Sequence, residues 1–145
     1  MIESDTIKLL RECDSGIQMG VSAIDDTIKY VKSGKLRQML KDNMEKHDSI
    51  NKELIKLLDV YHDEGKDPPA MVKAMSKIKS NVKLSFEGSD SAAAEYIIDG
   101  CNMGVKSLSR YLNQYQAADE HSKDFTKRLI SLEEKLSQDM REFLS

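Results

Sequence analysis

A chain of 145 residues is long enough for one domain with a single sizeable core and too short for several. Apolar residues make up 39% of it and charged residues 32%, a balance typical of a helical protein with well-solvated outer faces. The net charge of −3 and the lack of any apolar run near the roughly 20 residues of a membrane span argue against nucleic-acid and membrane partners.

The first residues, Met1 to Thr6, contain acids rather than a basic region ahead of an apolar core, which argues against a signal peptide. Cys13 and Cys101 each lie in an apolar helical stripe, a pattern that favours reduced, packed thiols over a disulfide. These observations predict a cytoplasmic protein.

The first helix is predicted over residues 4–33, with Ser4 as its N-cap. Ser33 and Gly34 are expected to close it, with Gly34 in a left-handed C-terminal position. The inward stripe of this helix follows helical spacing and consists of Leu10, Cys13, Ile17, Gly20, Ile24, Ile28 and Val31.

The second helix, predicted over residues 35–61, has the clearest periodicity in the chain. Two series repeat every seven residues: Leu36, Asn43, Ile50 and Leu57, and Leu40, His47, Leu54 and Tyr61. This heptad seam therefore has two polar residues, Asn43 and His47, in its middle turns. The connection to the first helix is so short that the two helices must be antiparallel neighbours.

Gly65, Pro68 and Pro69 then interrupt the helical pattern. A short amphipathic helix is predicted over residues 70–86, and a solvated outer surface explains its lysines. The third and fourth helices are predicted over residues 90–116 and 120–144.

A six-residue pattern occurs twice, at residues 16–21 and again 84 residues later at 100–105. Both copies read Gly-x-x-Met-Gly-Val, and each glycine costs a helix interior about 1 kcal/mol relative to alanine. Two glycines four residues apart form a flat patch that another backbone can approach closely. We therefore predict that Gly16 and Gly20 of the first helix pack against Gly100 and Gly104 of the third.

The sequences of the second and fourth helices are also similar to one another. The chain is therefore interpreted as two copies of a helical hairpin that a long crossover joins. That order is the topology of a ferritin-like four-helix bundle. The chain, most clearly over Asp99–Tyr115, resembles a bacterial group within the ferritin-like superfamily of the kind typical of Firmicutes. The resemblance implies an all-α, ferritin-like four-helix bundle with a long crossover that carries a short extra helix, and it implies no particular activity.

Metal-binding members of this superfamily hold two irons with a Glu from each of two helices and a Glu-x-x-His from each of the other two. In this chain the middle turns of the first and third helices offer glycine and apolar residues instead. His47 is preceded three residues earlier by Met44, and Glu133 is followed three residues later by Leu136. The expected ligand set is incomplete, which leaves His47 and Asp139 as weak candidates for metal.

His47 has two interpretations. It is a leftover or repurposed ligand, or it is a core histidine hydrogen-bonded to Asn43, Asp139 or a buried water, and the second is favoured because buried polar groups need partners. A set of aromatic and polar residues on the third helix is a possible interface, although the seam position of two of these tyrosines is the plainer explanation: Tyr96, Arg110, Tyr111, Gln114 and Tyr115.

No catalytic or cofactor-binding residue is predicted. The leading hypothesis is a non-enzymatic cytoplasmic bundle that acts through protein contacts, as a homodimer or larger homo-oligomer. One alternative is a diverged protein that binds or stores iron or manganese. The other is a binder of a small ligand in the bundle core, in a gap beside Gly20 and Gly104.

Overall fold

The computed structural model describes residues 2–61 and 89–145, and these fold into four α-helices without a strand. The helices are α1 (Ile2–Ile28), α2 (Gly34–Val60), α3 (Asp90–Gln114) and α4 (Glu120–Met140), and a single 3₁₀ turn, Arg141–Phe143, follows α4. The predicted all-α helical bundle is confirmed. The helix predicted over residues 70–86 lies outside the described residues.

The turn between α1 and α2 differs from the prediction. Helix α1 ends at Ile28 rather than at residue 33, and Ser33 is the N-cap of α2, where its hydroxyl accepts from the amide of Leu36. Gly34 is the first residue of α2 and not a left-handed C-terminal residue. The prediction was wrong because a serine between two helical stripes can cap the start of the second helix as well as follow the end of the first. Here Ser33 caps the start of α2.

The turn between α1 and α2 is hydrogen-bonded to α3, and the turn between α3 and α4 is hydrogen-bonded to α1. At one end of the bundle, the carboxylate of Asp90 at the start of α3 accepts from the amides of Lys32 and Ser33, both at 2.8 Å. At the other end, Thr6 of α1 accepts from the amide of Asp119 at 2.8 Å, and the hydroxyl of Tyr61 donates to the Asp119 carboxylate at 2.9 Å. These contacts place the end of α2 and the start of α3 at opposite ends of the bundle.

Helices α3 and α4 begin at good N-caps, Ser89 and Asp119, whose side chains accept from Ala92 and Ser122. Helix α4 ends four residues before the predicted boundary at residue 144, since the chain tightens into the 3₁₀ turn. No helix in residues 2–61 or 89–145 combines the length and the apolar character needed to cross a membrane.

The buried apolar residues form two clusters, one toward each end of the bundle. The first cluster includes Ile24, Leu36, Leu40, Ile97 and Met140. The second includes Ile17, Leu54, Leu108, Phe125 and Leu129. Along α2 and α4 the sequence between the two cluster segments reaches the middle of the bundle, and the buried residues Asn43, His47 and Glu133 lie there.

Candidate functional site

A layer of unusual composition separates the two apolar clusters. Helix α1 contributes Gly20 at this level, α2 contributes His47, α3 contributes Gly104 and α4 contributes Glu133. His47 is fully buried and Glu133 is 7% exposed. The centre of the bundle is therefore built from two small residues and one pair of ionisable side chains.

His47 makes two hydrogen bonds that fix its ring. Its Nδ1 lies 2.9 Å from the backbone oxygen of Asn43, one turn earlier, and its Nε2 lies 2.6 Å from Oε1 of Glu133. A backbone carbonyl only accepts, so Nδ1 carries a proton and donates it to Asn43. The titratable proton of this pair accordingly lies in the short bond between Nε2 and Oε1.

Two opposing effects act on the pKa of His47. Burial lowers it, because the charged ring loses water, while the hydrogen bond to Glu133 and the negative charge of that carboxylate raise it. The net shift is upward. Since Nδ1 donates to Asn43, the 2.6 Å contact places one further proton between Nε2 and Oε1, and the pair as a unit has no net charge.

Gly20 makes room for this pair. A Cβ atom at that position would lie 2.8 Å from Nε2 of His47 and 3.1 Å from its Cδ2. Real Cβ atoms do not approach other atoms so closely, and the ring is held by both of its nitrogens. Glycine at position 20 is therefore a requirement of the His47–Glu133 contact.

A cavity of about 40 Å³ lies between α1, α3 and α4 beside this pair. Its walls include aliphatic side chains from all three helices, and they also include all four glycines of the repeated motif, Cys101 and Glu133. We call this space the glycine cavity. Each of its four glycines is partly exposed, so the cavity lies close to the protein surface.

The two glycine motifs face the same space, but they do not form the tight backbone contact that the sequence suggested. A Cβ atom at Gly16 would come no nearer than 3.9 Å to a leucine side chain, and one at Gly104 no nearer than 3.8 Å to Glu133. No described atom lies within 4 Å of a Cβ atom built at Gly100. Three of the four glycines thus leave space that an alanine could occupy.

The two cysteines are free and buried. Cys13 belongs to the second apolar cluster, 3.2 Å from the hydroxyl of Thr126, and burial raises its pKa to about 12. Burial also raises the pKa of Cys101, and the charge of Glu133 and a hydrogen bond to it act in the same direction. Both thiols therefore keep their protons at neutral pH.

Asp139, the other weak metal candidate, is not a partner of His47. Its carboxylate accepts from Lys135 at 2.8 Å, one turn earlier on α4. Within residues 2–61 and 89–145, no group of three or more His, Cys, Asp or Glu side chains is arranged so that it could hold a metal ion.

The residues proposed for an interface fall into two groups. Tyr96 is 6% exposed in the first apolar cluster, and burial together with the charge of Asp26 raises its pKa to about 12. Tyr111 and Tyr115 are half-buried, and their rings stack with centroids 6.0 Å apart and an interplanar angle of 12°. Arg110 and Gln114 beside them are exposed.

Glu133 is the partner of His47 that sequence reasoning missed. The signal was present, because Glu133 lies four residues after Leu129 and three before Leu136, on the buried stripe of α4. A charged residue in such a stripe predicts a buried partner.

Comparisons of the chain with protein-family models, curated proteins and solved structures found no match.

Proposed function

We propose that this chain is a ligand-binding helical bundle and that the glycine cavity is its binding site. The observation that carries the proposal is that all four glycines of the repeated motif line one cavity, together with a buried carboxylate. Small-ligand sites are typically concave and mostly apolar, with a few polar groups that orient the ligand. The glycine cavity has this composition.

The energetic cost of these glycines supports the proposal. Each helical glycine costs about 1 kcal/mol relative to alanine, and only Gly20 is explained by a contact within the described residues. At Gly16 and Gly104 an added methyl group would make ordinary van der Waals contacts. A bound molecule accounts for the space that these two residues keep open.

Xenon is a suitable first probe, because apolar protein cavities bind it without a specific contact. In a two-dimensional NMR titration of the full chain, we expect xenon to shift the backbone amide signals of Gly16, Gly20, Gly100 and Gly104. The double variant Gly16→Ala/Gly104→Ala fills part of the cavity and should weaken this response at the two remaining glycines.

The matched control is Gly34→Ala. Gly34 is a helical glycine outside the cavity, and no described atom lies within 4 Å of a Cβ atom built there. This variant should respond to xenon like the wild type. Wild-type glycine signals that do not move under xenon, or that move equally in the cavity-filled variant, would contradict a binding cavity.

The proposal includes a ferritin-like bundle with a long crossover between α2 and α3, and an internal repeat. The positions of the end of α2 and the start of α3 at opposite ends of the bundle support it. We also propose a non-enzymatic, cytoplasmic role. The raised pKa of both buried thiols argues against a cysteine nucleophile, which needs a lowered pKa. The cytoplasmic part of the proposal draws on the two free cysteines, since reduced thiols are typical of that compartment.

We propose in addition that α3 supports self-association into a homodimer or larger homo-oligomer. The stacked, half-buried rings of Tyr111 and Tyr115 next to the exposed Arg110 favour it, because tyrosine and arginine are enriched at interfaces. Sedimentation equilibrium at tens of micromolar should show an assembly that Arg110→Glu weakens. Arg141→Glu, a charge reversal at another exposed arginine outside α3, is the control. A monomer at all concentrations would refute this second proposal.

A further inference from the structure

The glycine cavity has one charged group in its wall, as far as the described residues show, and this group is the carboxylate of Glu133. Oε2 of that carboxylate lies 3.8 Å from the position that a Cβ atom of Gly104 would take, and Oε1 lies 3.5 Å from the corresponding position at Gly20. The carboxylate therefore lies between the two glycine motifs. A ligand that extends between Gly20 and Gly104 reaches this carboxylate at the edge of a wall that is otherwise mainly apolar.

This carboxylate has acceptor capacity left for a ligand. A carboxylate accepts at about four lone-pair positions. One of these is used within the protein, by the Nε2 proton of His47, which lies 2.6 Å from Oε1. The remaining capacity favours a ligand that donates a hydrogen bond over one that only accepts.

Charge decides which kind of donor fits. His47 and Glu133 share one titratable proton in their 2.6 Å contact, so the pair is neutral as a unit. A ligand with a neutral donor adds no charge to this buried layer, whereas an ammonium group adds an uncompensated positive charge, which is costly away from water. The electrostatics thus favour a hydroxyl group over an amine.

The size of the site restricts the ligand further. A water-sized group needs about 10–15 Å³ of cavity volume, so a cavity of about 40 Å³ holds roughly three non-hydrogen atoms. Resting on the proposed function, we infer that the glycine cavity binds a neutral hydroxyl group on a short apolar chain, and that Glu133 accepts its hydrogen bond.

Ethanol and dimethyl ether test this inference, because they are isomers with the same three non-hydrogen atoms and only ethanol donates a hydrogen bond. Both are titrated into the full chain while the amide signals of Gly20 and Gly104 are followed by NMR. For ligands of this size we expect dissociation constants no tighter than about 1 mM. Ethanol should bind at least about tenfold more tightly than dimethyl ether, and ethylamine in its charged form should bind more weakly than ethanol.

The double variant His47→Leu/Glu133→Leu removes the acceptor and leaves no buried charge unpaired. Its ratio of ether to ethanol dissociation constants should fall at least about tenfold, toward equal binding. If the isomers bind the wild type equally well while xenon still binds in the cavity, the hydroxyl inference is overturned and the binding function stands. If xenon also fails to bind, the binding function itself is refuted.

Discussion

Helices α2 and α4 are joined by two ion pairs that differ in almost every physical respect. His47 and Glu133 meet in the core, through one contact of 2.6 Å, with the imidazole ring fully buried. Glu53 and Arg128 meet at the surface, through two parallel hydrogen bonds of 2.7 and 2.9 Å, with side chains 37% and 58% exposed. The surface pair has the better hydrogen-bond geometry, whereas the loss of one partner costs more stability in the buried pair.

The difference follows from solvation. Water and salt can replace either partner of the surface pair, so its contribution to stability is small despite the bidentate geometry. Nothing replaces a missing partner in the core, where an unpaired charge has lost its water. A buried pair therefore matters less for what its formation adds than for what its disruption costs.

Removal of one buried partner should have the largest effect. His47→Leu or Glu133→Leu leaves the other side chain buried without its partner, and we expect a loss of about 3–5 kcal/mol in the free energy of unfolding. The double variant should recover much of this loss, because two leucines leave no polar group unsatisfied. Urea unfolding of all four proteins measures the effect, and strictly additive losses in the double variant would contradict the pairing.

The two copies of the glycine motif should respond in opposite directions. Gly20→Ala forces the His47 ring away from Glu133, and we expect a destabilisation of about 1–3 kcal/mol. Gly104→Ala occupies the equivalent position of the second copy without a clash, and it should stabilise the protein by up to about 1 kcal/mol through helix propensity. Urea unfolding midpoints that shift in the same direction for both variants would refute this distinction.

The buried pair should also give the protein a defined pH dependence. The pKa of His47 is raised in the folded state above its ordinary value of 6.5. The resulting stabilisation is fully present below pH 6.5 and is lost as the pH rises through the folded-state pKa. The stability advantage of the wild type over His47→Leu/Glu133→Leu should therefore shrink from pH 6 to more alkaline values in parallel urea titrations. An advantage that grows with pH would contradict this assignment of the proton.

The surface pair should have the smallest effect. A double-mutant cycle on Glu53→Ala and Arg128→Ala should give a coupling energy of about 0.2–1 kcal/mol. High salt should reduce this coupling and leave that of His47 and Glu133 nearly unchanged. Equal sensitivity of the two couplings to salt would remove the contrast between the pairs.

The sequence predicted the helices better than the contacts between them. Periodicity placed His47 inward on α2, and the same spacing rule places Glu133 inward on α4. Whether these two side chains contact each other depends on the axial position of α4 relative to α2, which the pattern within either helix does not determine. The heptad pattern therefore predicted a buried histidine but not its partner. Asp139, also on α4, was named as a candidate partner instead of Glu133.

The glycine motif shows a second limit of the sequence. A Gly-x-x-Met-Gly-Val pattern predicts a small, flat helix face, and both copies do face the same space. Whether two such faces touch or leave a gap depends on the bulk of the neighbouring layers. Here Leu108, Leu129 and Leu136 line the gap from the adjoining turns, and a cavity results.

Each interhelical turn is hydrogen-bonded to the other hairpin, and this determines how its amide protons become exposed to water. The amides of Lys32 and Ser33 are held by Asp90 of α3, while the amide of Asp119 is held by Thr6 of α1. None of these three protons is protected by the hairpin to which it belongs. In native-state hydrogen exchange they should therefore exchange only when the α1–α2 and α3–α4 hairpins separate, so that they report on a single cooperative opening of the two hairpins rather than on local fraying.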